Sequence, residues 1–118
     1  DEAIGVNATA VRVPVFYGHS EAVHLETSRD ISIEAVREAM HKAPGLQLVD
    51  DLDPQAQVTA VTHAAGKNDV FVSRLRRDLT HPRGISMWVV SDKVRKGAAL
   101  NAVKILKMMV TGKMPVET

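Results

Sequence analysis

No cysteine occurs among the 118 residues of the chain. This absence excludes disulfide bonds, thiolate metal ligands and a cysteine nucleophile, so any chemistry that needs a thiolate has to draw it from elsewhere. HExxH and paired Cys/His motifs are also missing, and four histidines lack the spacing of a metal site: His24, His41, His63 and His81. We therefore expect no metal centre and interpret these histidines as surface or structural residues.

An excess of charge of one sign is missing as well. The chain has 15 Lys and Arg against 14 Asp and Glu, a formal net charge of +1, which gives no broad field for attracting nucleic acid or an anionic membrane. No apolar run approaches the roughly 20 residues of a membrane-spanning helix. The first residues, DEAIGVNATA, have neither a basic start nor an apolar signal segment. We expect a soluble, cytoplasmic protein with no nucleic-acid or membrane partner.

Nucleotide-binding and nucleophile motifs are the third absence. The sequence contains no G-x-G-x-x-G, no P-loop and no G-x-S-x-G, so it has neither a recognisable nucleotide-phosphate loop nor a serine nucleophile elbow. Its length and 45% hydrophobic content are sufficient for one domain with a modest core. The chain therefore cannot be a self-sufficient Rossmann enzyme.

Two strands are predicted near the start of the chain. The valine-rich residues 6–16 alternate apolar and polar side chains, and Pro14 places this predicted strand at an edge or makes it irregular. After Gly18, the segment SEAVHLETS puts Val23 and Leu25 on one face, as in a half-buried strand. The sequence of this region therefore predicts a strand, a turn and a second strand.

The middle of the chain predicts one helix and three further strands. Ser32 is a suitable N-cap for an amphipathic helix over residues 33–43, which Pro44 ends. LQLVDD predicts a short strand, and residues 53–69 a connection that could hold one more. Alternating apolar and polar residues in DVFVSRLRRD predict one strand, and the apolar run ISMWVVS predicts a central strand. We expect these two strands to pair as antiparallel neighbours. This order predicts an α+β fold with a mainly antiparallel sheet.

The last helix has an unusually wide apolar face. From Val94 to Val110, Asn101, Lys104 and Lys107 occupy one narrow arc, while apolar side chains cover most of the rest. Such a helix needs neighbours on two sides, so we expect it to pack against something outside this chain. Residues 112–118 have little pattern and predict a loose tail.

Arg12 and His19, in the stretch RVPVFYGHSEA, are the first candidate site residues. A guanidinium can hold a carboxylate or phosphate through two hydrogen bonds, and a histidine can transfer a proton near neutral pH. The two could flank one small anionic substrate. Their spacing alone is not specific, and on it a solvent-facing arginine and a turn histidine remain the more frequent arrangement.

A second candidate is SDKVRKGAALNA, residues 91–102. Ser91 or Asp92 can cap the helix, and Gly97 allows another backbone or a flat ligand to come close. Arg95 and Lys96 lie near the helix N-terminus, where cations are unfavourable unless an anion is nearby. Either a phosphate-bearing partner or long side chains that reach the solvent would explain this placement.

Three blocks together resemble the C-terminal part of bacterial aspartate-semialdehyde dehydrogenases: RVPVFYGHSEAVHLE, AAGKNDVFVSRLRRD and WVVSDKVRKGAALNAVKI. They occur in the family order, and the similarity extends from about residue 5 to 110. The resemblance implies the C-terminal dimerisation domain of the glyceraldehyde-3-phosphate-dehydrogenase-like fold, with two main helices. Residues 1–93 would belong to the substrate-binding and dimerisation domain, the helix at 94–111 would pack on an NADP-binding Rossmann domain, and 112–118 would be the tail.

The function that the resemblance implies is an NADP-dependent interconversion of L-aspartate 4-semialdehyde plus phosphate and L-4-aspartyl phosphate. This reaction proceeds through a cysteine thioester on the route to lysine, threonine and methionine, in a homodimer or homotetramer. Carried over by position, Arg12 matches the arginine that holds the substrate carboxylate, and His19 matches the acid/base histidine. The cysteine and the cofactor loop would lie upstream, so the segment alone is expected to be inactive.

Lys93 departs from the family pattern. The family usually reads Ser-Asp-Asn before this block, and Lys93 stands in place of the asparagine, at a position implicated in contact with the cofactor. Lys93 and Gly97 are therefore the candidate cofactor-binding residues, with the contact at 93 made by a different side chain. Bacterial paralogues that lost the cysteine tend to lose the arginine too, so the retention of Arg12 favours the active enzyme.

Two other functions remain open from the sequence. One is a catalytically inert dimerisation or interaction module derived from the same family. The other is a related reductase of acyl phosphates, such as the N-acetylglutamyl-phosphate family, which uses the same thioester chemistry but has its histidine in a different local context.

Overall fold

A four-stranded sheet forms the centre of the molecule in the computed structural model, which describes residues 3–49 and 57–113. Its strands are β1 (His19–Glu26), β2 (Leu46–Leu48), β3 (Val70–Arg77) and β4 (Gly84–Ser91), in the spatial order β1-β4-β3-β2. β4 is central and antiparallel to both β1 and β3, whereas β2 runs parallel to β3. The predicted α+β fold with a mainly antiparallel sheet is confirmed, as is the pairing of DVFVSRLRRD with ISMWVVS.

Residues 6–16 do not form the predicted strand. The chain from residue 3 to 17 is exposed and contains neither helix nor strand, apart from one tight turn in which the Val15 N–H donates to the Val13 carbonyl over 2.9 Å. A strand needs a neighbouring backbone to satisfy its N–H and C=O groups. The sheet ends at β1 on this side and does not pair with the segment, so its alternating pattern has no ladder to join.

Helix α1 (Ile33–Lys42) confirms the predicted first helix. The Ser32 hydroxyl accepts a hydrogen bond from the Ala35 N–H over 3.1 Å and so caps its start. The helix ends at Lys42, two residues before Pro44, with the Ala43 N–H donating to the Met40 carbonyl. Three apolar side chains of its inner face pack on the sheet: Ile33, Val36 and Met40.

The sheet has a core on each face. On the α1 side, four buried residues form the centre: Val72, Leu75, Ile85 and Met87. The other face is covered by a segment that contains a short π-helical turn, Ala60–Ala64, where the sequence allowed for a strand. Five residues make up this second core: Val58, Ala60, Ala64, Phe71 and Val90. The Trp88 indole N–H donates to the Val58 carbonyl over 2.9 Å and fastens the segment to β4; residues 50–56 lie outside the described ranges.

The C-terminal helix begins as a π-helical turn, Arg95–Ala99, and continues as α2 (Leu100–Thr111). Gly112 ends it in the left-handed backbone region at φ 66°, and residues 114–118 of the predicted tail lie outside the described part. Six large apolar side chains of α2 are exposed: Val103, Ile105, Leu106, Met108, Met109 and Val110. Over residues 3–49 and 57–113, no helix combines the length and apolar character needed to cross a membrane.

Asp92 links the start of this helix to the turn at Gly66 through hydrogen bonds. Its buried carboxylate accepts hydrogen bonds from the Gly66 N–H at 2.8 Å, the Val94 N–H at 2.8 Å and the Arg95 N–H at 3.2 Å. The Gly66 hydrogen bond is the main cause of a pKa for Asp92 below its usual value, with smaller contributions from Val94 and Arg95. Of the two capping residues that the sequence allowed, Asp92 is therefore the one that caps the helix.

Gly18 turns the chain into β1. It is buried, its φ is +92°, and a Cβ built on it would lie 2.3 Å from the Ala60 Cβ. Both the backbone conformation and the contact distance therefore require glycine at this position.

We predict that Gly18→Ala destabilises the chain by more than the backbone conformation alone accounts for. Gly66→Ala is the matched control because Gly66 also has a positive φ, +76°, but has no neighbour within 4 Å of the added Cβ. We expect about 1 kcal/mol from the left-handed backbone at Gly66, and roughly 1–3 kcal/mol more at Gly18 from the clash with Ala60. Urea unfolding measures both; equal losses would contradict the close contact.

The Asp92 hydrogen bonds predict a pH-dependent stability. Because the folded pKa lies below the unfolded value of about 3.9, the ionised carboxylate stabilises the fold fully above that value, and its contribution is lost as the pH falls through the folded pKa. Asp92→Asn should lower the free energy of unfolding by about 1 kcal/mol at neutral pH, because the amide oxygen accepts neutral rather than charge-assisted hydrogen bonds. The difference from the wild type should shrink below about pH 4. A difference that does not change with pH would contradict this account.

Candidate functional site

The candidate site lies at the end of the sheet where β1 begins and β4 ends. His19 is the first residue of β1 and pairs with Ser91, the last residue of β4. Next to this end is an open groove of about 320 Å³. Its walls come from the residue before Gly18, the turn before β3 and the start of the C-terminal helix: Tyr17, Ala65, Gly66, Asp92, Val94 and Arg95.

The His19 imidazole is accessible and has one carboxylate partner. Its Nε2 lies 2.7 Å from the Glu21 Oε1, and the two side chains are 58% and 50% exposed. Residues two apart on a strand project from the same face, so this contact follows directly from the β1 backbone. The imidazole can therefore reach a molecule outside the sheet while Glu21 holds one of its nitrogens.

Arg12 lies in the exposed coil that precedes Gly18. No hydrogen bond or ion pair engages its guanidinium within residues 3–49 and 57–113, and no contact there joins it to His19. The structure thus leaves its positive charge available for an anion without fixing its position against the imidazole.

Lys93 and Gly97 lie on the open side of the turn that starts the C-terminal helix. Both are exposed, and a Cβ added at Gly97 would meet only the Lys93 Cβ, at the ordinary distance of 3.8 Å. Packing within the described residues therefore does not require glycine at position 97. The missing side chain leaves the surface of this turn open to a flat group.

The cations at the helix start have partners that the sequence did not reveal. The buried Asp92 carboxylate supplies the anion near the helix N-terminus, and the Arg95 guanidinium donates to the Asn68 side chain over 3.3 Å. A phosphate-bearing partner is thus not needed to explain Arg95. Sequence reasoning missed Gly66 and Tyr17 as neighbours of this turn, because they are distant along the chain and carry no motif.

Arg74, Arg76 and Arg77 lie near the C-terminal end of β3. Arg77 pairs with Asp30 at 3.0 Å, and Arg76 donates to the Arg74 carbonyl over 2.9 Å, where β3 is irregular and Arg74 has a φ of 54°. These arginines thus contact the segment between β1 and α1 and the backbone of β3 itself. In the described ranges, no three His, Cys, Asp or Glu side chains come together as a metal site.

Sequence comparison places the chain among known proteins. It matches the family described as semialdehyde dehydrogenase, dimerisation domain, over residues 1–96. It is 50% identical over 109 residues to the aspartate-semialdehyde dehydrogenase of Legionella pneumophila and 51% identical over 110 residues to that of Shewanella violacea. These alignments cover 92% and 93% of this chain but only 31% and 32% of the relatives, so the chain spans about a third of their length.

Solved structures agree with the fold. The aspartate semialdehyde dehydrogenase II of Vibrio cholerae, complexed with ASA, superimposes with a TM-score of 0.77 at 48% identity, over 84% of this chain and 29% of that one. A probable aspartate-semialdehyde dehydrogenase from Pseudomonas aeruginosa gives 0.73 at 35% identity, over 83% and 28%. The expected glyceraldehyde-3-phosphate-dehydrogenase-like C-terminal fold and the resemblance are both confirmed. The chain therefore belongs to the semialdehyde dehydrogenase family and corresponds to its dimerisation domain.

Proposed function

We propose that this chain is the substrate-binding and dimerisation part of an NADP-dependent aspartate-semialdehyde dehydrogenase. The enzyme would interconvert L-aspartate 4-semialdehyde plus phosphate and L-4-aspartyl phosphate in the cytoplasm, on the route to lysine, threonine and methionine. The observation that carries the proposal is the accessible His19 imidazole at the end of the sheet where β1 begins, within a segment about half identical to aspartate-semialdehyde dehydrogenases.

Arg12 is proposed to bind the substrate carboxylate. Its guanidinium presents a planar pair of N–H donors that matches the two carboxylate oxygens. The absence of a competing anion within the described residues supports this role. The exposed coil around Arg12 would then be ordered by substrate and by the part of the enzyme that completes the site.

His19 is proposed to move the proton in the reaction. A cysteine thiol from the Rossmann part would give its proton to the imidazole as its sulfur attacks the aldehyde carbon. The imidazolium would return that proton to the former carbonyl oxygen, which completes the hemithioacetal and leaves His19 neutral. His19 would then take the hydroxyl proton as the hemithioacetal collapses to a thioester. Attack of phosphate on the thioester carbon forms the acyl phosphate and releases the thiolate. The exposed imidazole at the sheet end supports this role because it can face a second domain.

The proposed contact of this chain with a nicotinamide cofactor is limited to the turn at the start of the C-terminal helix. When bound, the cofactor would supply the hydride acceptor for the oxidation of the hemithioacetal. The sequence has no glycine-rich loop for its phosphates, so the residues here would contribute the exposed turn with Lys93 and Gly97. The lysine ammonium could contact a phosphate or an amide oxygen, and Gly97 would let a flat ring approach the backbone.

The uncovered face of α2 supports the proposed division of the chain. Residues 1–93 would form part of the substrate-binding and dimerisation domain, and the helix at 94–111 would pack on the Rossmann domain. Burial of the exposed apolar side chains of α2 would drive this packing. The family description as a dimerisation domain supports a homodimer or homotetramer.

The two proposed site residues predict different kinetic defects in the full polypeptide that carries this chain. His19→Asn should lower kcat by about 10²–10⁴-fold with little change in KM, because it removes a general base but leaves the substrate contacts. Arg12→Ala should act chiefly through KM, lowering kcat/KM by roughly 10–100-fold, because it removes charge-assisted hydrogen bonds to the substrate. Steady-state kinetics with aspartate semialdehyde measure both effects.

Exposed residues of the same types serve as matched controls. His41→Asn on α1 and Arg29→Ala after β1 should leave both kinetic constants unchanged, since both residues are exposed and neither has a role in the proposed site. Equal, mild defects in the His19 and Arg12 variants would contradict the assigned roles.

A further inference from the structure

Glu21 lies beside the proposed acid/base in a contact that the β1 backbone dictates. The Glu21 Oε1 is 2.7 Å from the His19 Nε2. Both residues are held in the β1–β4 ladder, His19 opposite Ser91 and Glu21 opposite Val89. Because the backbone positions of the pair are fixed by these hydrogen bonds, the carboxylate needs only a side-chain rotation to reach the ring.

We propose that Glu21 is the positioning residue for His19 in the reaction. This inference rests on the proposed function, because it needs His19 to be the acid/base. A carboxylate that accepts the Nε2–H fixes the tautomer and the ring orientation, and it leaves Nδ1 as the nitrogen that takes up a proton. After proton transfer to Nδ1, the carboxylate faces the imidazolium and stabilises its charge without itself becoming protonated.

A second histidine–glutamate pair, at the other end of β1, serves as a control for an exposed pair with no role in the reaction. The His81 Nε2 and the Glu26 Oε2 are 3.7 Å apart, beyond hydrogen-bond distance. Glu26 pairs in the ladder with Gly84, at the end of the strand remote from His19. Exposed ion pairs contribute little to folding stability, so removing either carboxylate should leave the fold intact. Only Glu21 should affect the rate.

The test uses three variants of the full polypeptide that carries this chain: Glu21→Ala, Glu21→Gln and the control Glu26→Gln. We expect Glu21→Ala to lower kcat for aspartate semialdehyde by about tenfold, the effect of one charge-assisted hydrogen bond, with KM unchanged. Glu21→Gln should recover part of this loss because its amide oxygen can still accept the Nε2–H. Glu26→Gln should match the wild type.

A spectroscopic readout accompanies the kinetics. The ¹⁵N NMR signals of the His19 ring report which nitrogen carries the proton, and Glu21→Ala should reduce the fraction of the Nε2–H form. Wild-type kcat in Glu21→Ala overturns the positioning role, and if His19→Asn is slow in the same assay, the proposed function stands. Wild-type kcat in His19→Asn overturns the proposed acid/base, and the role of Glu21 falls with it.

Discussion

The antiparallel pairing of β1 with β4 is the interaction on which the candidate site depends. It runs without a break from His19 opposite Ser91 to Glu26 opposite Gly84. Val23 and Leu25 of β1 pack on the core at the α1 face, and this burial fixes the register. His19 and Glu21 continue the same face beyond the core, so a slip by one residue would move both to the opposite side of the sheet. The register therefore decides where the imidazole points.

The two chain segments that flank this pairing are both attached to residues 60–66. Gly18, just before β1, packs against Ala60, and Asp92, just after β4, accepts the Gly66 N–H. Residues 60–66 thus contact both the residue that precedes β1 and the residue that follows β4. This arrangement explains why a buried carboxylate and a glycine with positive φ occur next to the groove rather than elsewhere in the sheet. The α2 helix, by contrast, leaves its apolar face open.

The sequence predicted most of the elements whose signals are local. Ser32 caps α1, Val23 and Leu25 mark the inner face of β1, and the apolar run in β4 marks a central strand. Residues 6–16 carry an equally clear pattern but form no strand, because pairing depends on a neighbour that the pattern does not specify. The turn at Ala60–Ala64 was missed because it is set by packing on Phe71 and Val90.

The signals that pointed to the proposed site residues were of two kinds. The roles of His19 and Arg12 were inferred from similarity to a family, since their spacing had no specificity of its own. Capping by Asp92 or Ser91 was predicted from helix chemistry. The hydrogen bond from Gly66 to Asp92 joins residues far apart in the sequence and had no local signal. Glu21 did have one, because residues i and i+2 of a strand share a face, and a histidine and a glutamate at that spacing indicate a possible pair.

An assay of the full polypeptide that carries this chain decides whether the chain supplies half of a dehydrogenase site, as proposed. The assay combines that polypeptide with L-aspartate 4-semialdehyde, phosphate and NADP and follows the absorbance of NADPH. We expect NADPH formation that requires both the semialdehyde and phosphate. No NADPH formation by the folded protein with all three substrates present would contradict the proposal.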